Sequence, residues 1–182
     1  MRKPVDFKIP VAALALILTL GLSLGGFMLY NRFVVEKPMY QEMKQVEGVQ
    51  RVSVHKEDKQ MVVVVKLAEM SDFSVTYRLL DRIAEKRFGA GKYTLEIEDR
   101  RSQELEQFYA DIQLHLYQGI ATNSFLWLDK EIEQMADSKG IQHRLRVDED
   151  NLYLQGHKEG YYLYSVLKRG EKVSQESQQM GR

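Results

Sequence analysis

The sequence predicts an α+β fold with a single N-terminal transmembrane helix, and three observations point to it. Residues 9–30, IPVAALALILTLGLSLGGFMLY, carry no charged side chain. At about 1.5 Å of rise per residue, such a helix crosses a roughly 30 Å hydrocarbon layer. Residues 38–98 then show apolar periodicities in the order helix, strand, strand, helix, strand, which gives a two-layer αββαβ unit. From residue 103 the pattern changes to two helices and three strands: a helical hairpin plus a three-stranded antiparallel meander. The expected organisation is a basic N-terminal flank (1–8), a transmembrane helix (9–31), an αββαβ domain (32–98) and an ααβββ segment (99–169). That last segment is a second domain or a continuation of the first, and a disordered tail (170–182) follows it.

Ile9, Leu14, Leu18, Leu22, Phe27 and Tyr30 mark the membrane anchor. Thr19 and Ser23 can return their hydroxyls to helix carbonyls, and Tyr30 suits an interfacial depth. A cleaved signal peptide is the main alternative. Arg2, Lys3 and Lys8 form a basic n-region, and Ser23-Leu24-Gly25 offers small residues at cleavage spacing. The apolar run continues past that point through Phe27, Met28, Leu29 and Tyr30, so an uncleaved signal-anchor is the preferred reading. Basic residues are dense before the run and spread out after it, at Arg32, Lys37 and Lys44. This density places the N-terminus in the cytoplasm of a single-pass cell-membrane protein and the following domain outside it. With no cysteine, disulfides and thiolate metal sites are excluded.

Lysine plus arginine number 26, and so do aspartate plus glutamate. The first 32 residues hold Arg2, Lys3, Lys8 and Arg32 against Asp6, so the remainder is slightly acidic. A nucleic-acid partner, or a domain lying flat on anionic lipid, needs a concentrated basic surface, and neither is expected.

Taking the elements in order, Asn31–Lys37 is a connector. Pro38 suits the first turn of a helix carrying Met39, Met43 and Val46, which ends by Gly48. Val52 and Val54 alternate in a first strand. After the turn Lys56-Glu57-Asp58-Lys59, the β-branched run Met61–Leu67 reads as a central strand buried on both faces. Ser71 or Asp72 caps the next helix, with Val75, Leu79, Leu80 and Ile83 assigned to its buried side and Phe88-Gly89 at its end. Tyr93, Leu95 and Ile97 alternate in the third strand. Asp99 to Ser102 is a charged break. Leu105, Phe108, Tyr109, Ile112, Leu116 and Ile120 then keep helical spacing, as do Phe125, Leu128, Ile132 and Met135 before Gly140. Ile141, His143, Leu145 and Val147 alternate with Gln142, Arg144 and Arg146. The turn Asp148–Asn151 leads to Leu152 and Leu154, and Tyr161–Lys168 forms the last strand.

Few residues suggest chemistry. His143 and His157 are the best metal candidates, since a tight turn at 148–151 sets their strands side by side. Glu159 or Asp150 would have to complete the ligand set. Asp148–Asn151 lacks the glycine and the distant glutamate of a calcium loop and reads as a solvated turn. Gly89-Ala90-Gly91-Lys92 runs helix to strand, the wrong way round for a phosphate loop. His55 and His115 have no partner at a telling spacing, and Ser74, Ser102 and Ser124 sit where capping explains them. No catalytic, cofactor or metal residue is assigned. The aromatic residues Trp127, Tyr153, Tyr162 and Tyr164 are the candidate interface: phenols fall on both faces of the last hairpin, and Trp127 lies off its helix's apolar stripe.

Residues 38–98 also resemble a known family. Their element order directly after an anchor is similar to the ring-building motif of sporulation-channel and secretion-system inner-membrane ring proteins. It is similar too to the C-terminal dimerisation domain of cation-efflux transporters. There Glu47-Gly48-Val49-Gln50-Arg51-Val52 opens the first strand and Arg87-Phe88-Gly89 precedes the last. The resemblance implies a domain for self- or partner-association, so a homo-oligomer or a membrane-protein partner is expected. The function read from the sequence is therefore an assembly or protein-interaction module held at the membrane. A membrane-tethered ligand-, lipid- or wall-sensing accessory domain is the alternative.

Overall fold

The β-branched run Val62–Val65 forms the middle of a mixed sheet in the computed structural model, which describes residues 9–30, 37–58 and 60–170. Its elements in chain order are α1 (Ile9–Tyr30), α2 (Lys37–Lys44), β1 (Val49–Glu57), β2 (Gln60–Leu67), α3 (Phe73–Phe88) and β3 (Tyr93–Glu98). There follow α4 (Gln103–Thr122), α5 (Phe125–Ser138), β4 (Gln142–Val147), β5 (Asn151–Lys158) and β6 (Tyr161–Lys168). The readings of residues 1–8 as a basic flank, 31–36 as a connector and 171–182 as a tail lie outside the described residues.

The apolar run is one 22-residue helix, α1. Its side chains are described from residue 15 to 26; Ile9, Leu14, Phe27 and Tyr30 fall outside that window. Among the described residues, no helix is long and apolar enough to cross a membrane. The Thr19 hydroxyl donates to the Ala15 carbonyl at 2.8 Å, the return bond expected of it.

The first sheet has the order β1-β2-β3, with β1 antiparallel and β3 parallel to β2. A parallel pair needs a crossover, and α3 supplies it. Side chains alternate across each strand. Val52, Val63, Val65 and Leu67 are buried against α2 and α3, with Val54, Leu95 and Ile97 partly buried beside them. Met39 and Met43, one helical turn apart on α2, close the same core. On the opposite face Val62 is only 5 % exposed and Val64 half-buried, but Arg51, Ser53, His55, Thr94, Glu96 and Glu98 around them are exposed. The expectation of a strand buried on both faces thus holds for its central place, while its second face is rimmed by exposed polar residues.

The phase expected for α3 is corrected. Val75 and Leu79 are exposed, and the buried stripe is Phe73, Tyr77, Leu80 and Ala84. Two large aromatic rings one turn apart bury more apolar area than a valine and a leucine, and they set the helix's rotation. Asp72, not Ser71, is the N-cap, accepting from the Ser74 N–H at 3.1 Å.

The second sheet, β4-β5-β6, is an antiparallel meander separate from the first. One face carries Leu152, Leu154, Leu163 and Leu167 into a core shared with Leu105, Phe108, Ile112 and Leu116 of α4 and Leu128, Ile132 and Ala136 of α5. The two helices pack closely because Gly119 leaves room: a Cβ there would meet Leu128 at 2.7 Å. The other face carries Tyr153, Tyr162 and Tyr164 into the core of the first sheet and α3. The β5–β6 hairpin is therefore a middle layer, apolar on one side and phenolic on the other.

Candidate functional site: the seam between the halves

Three tyrosines on alternate positions of β5 and β6 reach across the seam, and each ends on a hydrogen bond. The Tyr162 hydroxyl donates to the Leu67 carbonyl at 2.9 Å, and that of Tyr164 donates to the Ala68 carbonyl at 3.1 Å. The Tyr164 oxygen also accepts from the Met70 N–H at 3.0 Å. Tyr153 donates to Asp148 at 2.7 Å. Their rings pack on α3: Phe73 stacks on Tyr164 with centroids 4.6 Å apart, and Tyr77 meets Tyr153 edge-on at 5.7 Å. Burial disfavours the phenolates, so Tyr164 and Tyr153 titrate above the usual phenol range, and Tyr77 is pushed up to about 12.

Gln155, buried in the same row, ties the β2–α3 loop to the sheet. Its amide oxygen accepts from the Phe73 N–H at 3.1 Å, and its amide nitrogen donates to the Met70 carbonyl at 2.7 Å. The nitrogen also lies 2.6 Å from His157 Nε2. With Nε2 accepting there, Nδ1–H donates to Glu69 at 3.1 Å, so the neutral Nδ1–H tautomer satisfies both neighbours. Arg144 donates to the Ser71 carbonyl from the adjacent strand. Around these groups lies a polar cleft of about 410 Å³, lined by Glu69, Ser71, Arg144, Gln155 and His157 among others.

The charged break after β3 closes the seam along the edge of β6. Arg100 forms a two-way backbone bridge with Tyr162, at 3.2 and 2.8 Å. The Asp99 carboxylate accepts from the Tyr164 N–H at 2.7 Å and pairs with Arg101 at 2.9 Å, while Arg101 donates to the Tyr164 carbonyl at 3.2 Å. Two side chains thus take the place of a neighbouring strand, and an edge open to foreign pairing is covered. Burial raises the Asp99 pKa, against the bonds from Tyr164 and Arg101.

No family model and no curated protein matches this chain.

The residues singled out in the sequence have clear places. His143 and His157 both border the polar cleft, but their imidazoles do not converge. His143 is in register with Gly156, and His157 with Gln142, so the imidazoles leave opposite faces of the sheet. His143 meets Asp129 of α5 at 3.3 Å, and His157 meets Glu69. Asp148 closes a tight turn, accepting from the N–H groups of Asp150 and Asn151 at 3.0 and 2.9 Å. Burial raises its pKa, but the bonds from Tyr153, Asn151 and Asp150 outweigh that and leave it below the usual carboxylate range. Ser102 caps α4 through the Leu105 N–H, whereas Ser124 makes no side-chain cap bond to α5. Gly89, at φ 88°, ends α3 and returns its N–H to the Glu85 carbonyl.

Of the candidate interface residues, Tyr153, Tyr162 and Tyr164 are buried inside the chain, in its own internal interface. Trp127 is half-buried against the α4–α5 core, 6.1 Å from the His115 ring. The exposed apolar side chains of that hairpin are Leu114, Tyr117 and, at 86 % exposure, Leu126. All three fall off the stripe set by Phe108, Ile112, Leu116 and Leu128, a signal already present in the periodicity. Chemically, the seam is a hydrogen-bonded clasp: the imidazole, amide and guanidinium that line it are each engaged with a group of the chain itself.

Proposed function

We propose that the chain is a single-pass membrane protein whose extracytoplasmic α+β body is an assembly or protein-interaction module. The observation that carries this reading is the uncharged 22-residue helix Ile9–Tyr30 joined to a body that leaves one whole sheet face rimmed by exposed polar residues. The anchor residues are Ile9, Leu14, Leu18, Leu22, Phe27 and Tyr30. A run of 22 residues without a charged side chain is long enough, as a helix, to span a roughly 30 Å hydrocarbon layer. Tethering confines the body to two dimensions, so weak lateral contacts suffice. The order α2-β1-β2-α3-β3, with helices on one face only, supports the likeness to ring-building domains and hence a homo-oligomer or a membrane-protein partner.

Alkaline extraction of membranes tests the anchor, and the chain is expected in the pellet. Protease treatment of sealed cells and of inverted vesicles tests its sidedness: the body is cut in intact cells only. Recovery of the chain in the soluble fraction overturns the reading. The polar cleft at the seam supports a second reading, a tethered sensing domain for a small polar, wall or lipid-headgroup ligand. Ligand-induced shifts of the Arg144 and His157 side-chain resonances would favour it.

A further inference from the structure

The open face of the first sheet is a small, ordered array. Cross-strand register gives three rows: Arg51, Lys66 and Glu98; then Ser53, Val64 and Glu96; then His55, Val62 and Thr94. The middle strand presents two valines, the β1 edge an arginine, and the β3 edge two carboxylates. Among the described residues none of Arg51, Lys66, Glu96 and Glu98 forms an ion pair, although seven other pairs do form. These four charges, two of each sign, are open to pairing with groups outside the fold.

We propose that this face pairs with the same face of a second copy, about a two-fold axis running along β2. Rotation about a line parallel to the strands carries β1 of one copy over β3 of the other and keeps each row at its own height. Val64 then stacks on its own symmetry mate, while Val62, only 5 % exposed, is already covered by its neighbours. Arg51 of each copy lies over the other's Glu98, with Glu96 one row away, so two identical sets of ion pairs form at once. A two-fold axis across the strands at the middle row would set Glu96 over Glu96 and Arg51 over His55, with no opposite charges facing, and is disfavoured. The two Lys66 side chains meet near the axis, and each has Glu98 as its neighbour on the adjacent strand. Short side chains fill the middle of the array, as sheets packed roughly 10 Å apart require.

The contact is small. Three strands about 4.8 Å apart and about 20 Å long cover roughly 300 Å² per copy, below the ~800 Å² per partner of a stable soluble dimer. Pairing therefore draws on the effective concentration of a shared bilayer. In that respect it rests on the membrane-tethered reading and deepens it by naming the partner and the surface.

The native chain has no cysteine, so a single thiol reports position without background. Val64→Cys in the full chain, in native membranes, is treated with a bismaleimide spanning roughly the gap between packed sheets. A covalent dimer is expected, at least fivefold above the yield of Gln134→Cys, whose thiol sits on α5. Adding Arg51→Glu or Glu98→Arg alone should lower the yield at least fivefold, and combining the two should restore it. Trp127 fluorescence confirms that each variant is folded. Yields no higher than the Gln134→Cys control, or unchanged by the single reversals, overturn the pairing. The same samples are fractionated. A chain in the pellet without the dimer overturns the pairing and leaves the anchor standing. A soluble chain that still cross-links overturns the anchor and supports the pairing, and a soluble chain that does not overturns both.

Discussion

The Tyr164 N–H donates to the Asp99 carboxylate at 2.7 Å, joining residues 65 apart in the chain. Asp99 lies where the sequence shows only a charged break between two patterned halves, and the bond makes that break the hinge-pin of the body. Replacing Asp99 by alanine orphans the Tyr164 N–H and frees Arg101, at a cost of about 1–3 kcal/mol. Asparagine keeps an acceptor and should lose less. Burial raises this carboxyl's pKa, so the folded state takes up a proton before the unfolded state does, and the residue's own contribution to stability rises as pH falls through that value. Urea midpoints of both variants at neutral pH check the order.

Gln155→Leu tests the clasp. It keeps the volume but leaves the Phe73 N–H and the Met70 carbonyl without partners, and about 1–3 kcal/mol of stability is expected to go. Hydrogen exchange at Phe73 should speed up well before that of the β2 core.

A pair of glycine substitutions separates close packing from backbone freedom. Gly119→Ala drives a methyl group into Leu128 and is expected to destabilise by about 1–3 kcal/mol. At Gly156 the nearest side-chain atom would be 3.6 Å from the new Cβ, an ordinary contact. Gly156→Ala should be neutral or slightly stabilising, because alanine loses less backbone entropy in a strand. Thermal midpoints distinguish the two.

Alkali should open the seam late. An unfolded tyrosine ionises near pH 10, whereas Tyr77 is raised to about 12 and Tyr153 and Tyr164 are raised as well. The stabilising term is complete below about pH 10 and is lost as pH climbs through the folded values. An ultraviolet phenolate titration should show a late group of tyrosines in the native chain and none in urea. On the acid side, the bond from Ser74 holds Asp72 below the usual range and Asp148 is held low as well, so their contribution is present above about pH 4 and fades below it.

Much of the fold could be read from local pattern. Alternation at Tyr93–Ile97 and helical spacing at Leu105–Leu116 both appear where the periodicity puts them, because each such face has one side to bury. The α3 rotation escaped: Val75-Leu79 and Phe73-Tyr77 both make helical stripes, and only the partner layer chooses between them. The tyrosine face escaped for the same reason. A hairpin alternating phenol and leucine looks half-exposed until a second layer is known to lie on it. The grip of Asp99 and Arg101 on Tyr164 leaves no periodic trace, since it depends on a strand 65 residues away. The register of that hairpin was legible, with His143 opposite Gly156 as a tight turn at 148–151 requires; His157 is one residue further on and leaves the other face, so the two imidazoles do not meet.

The β5–β6 hairpin contributes side chains to a core on either face, and this bears on how the polypeptide can be divided. A fragment ending at Glu98 would bare Phe73 and Tyr77, while one starting at Gln103 would offer Tyr153, Tyr162 and Tyr164 to water. Neither piece is a finished object. Expression of either alone should give aggregates, and the intact body should melt in a single step despite its two sheets.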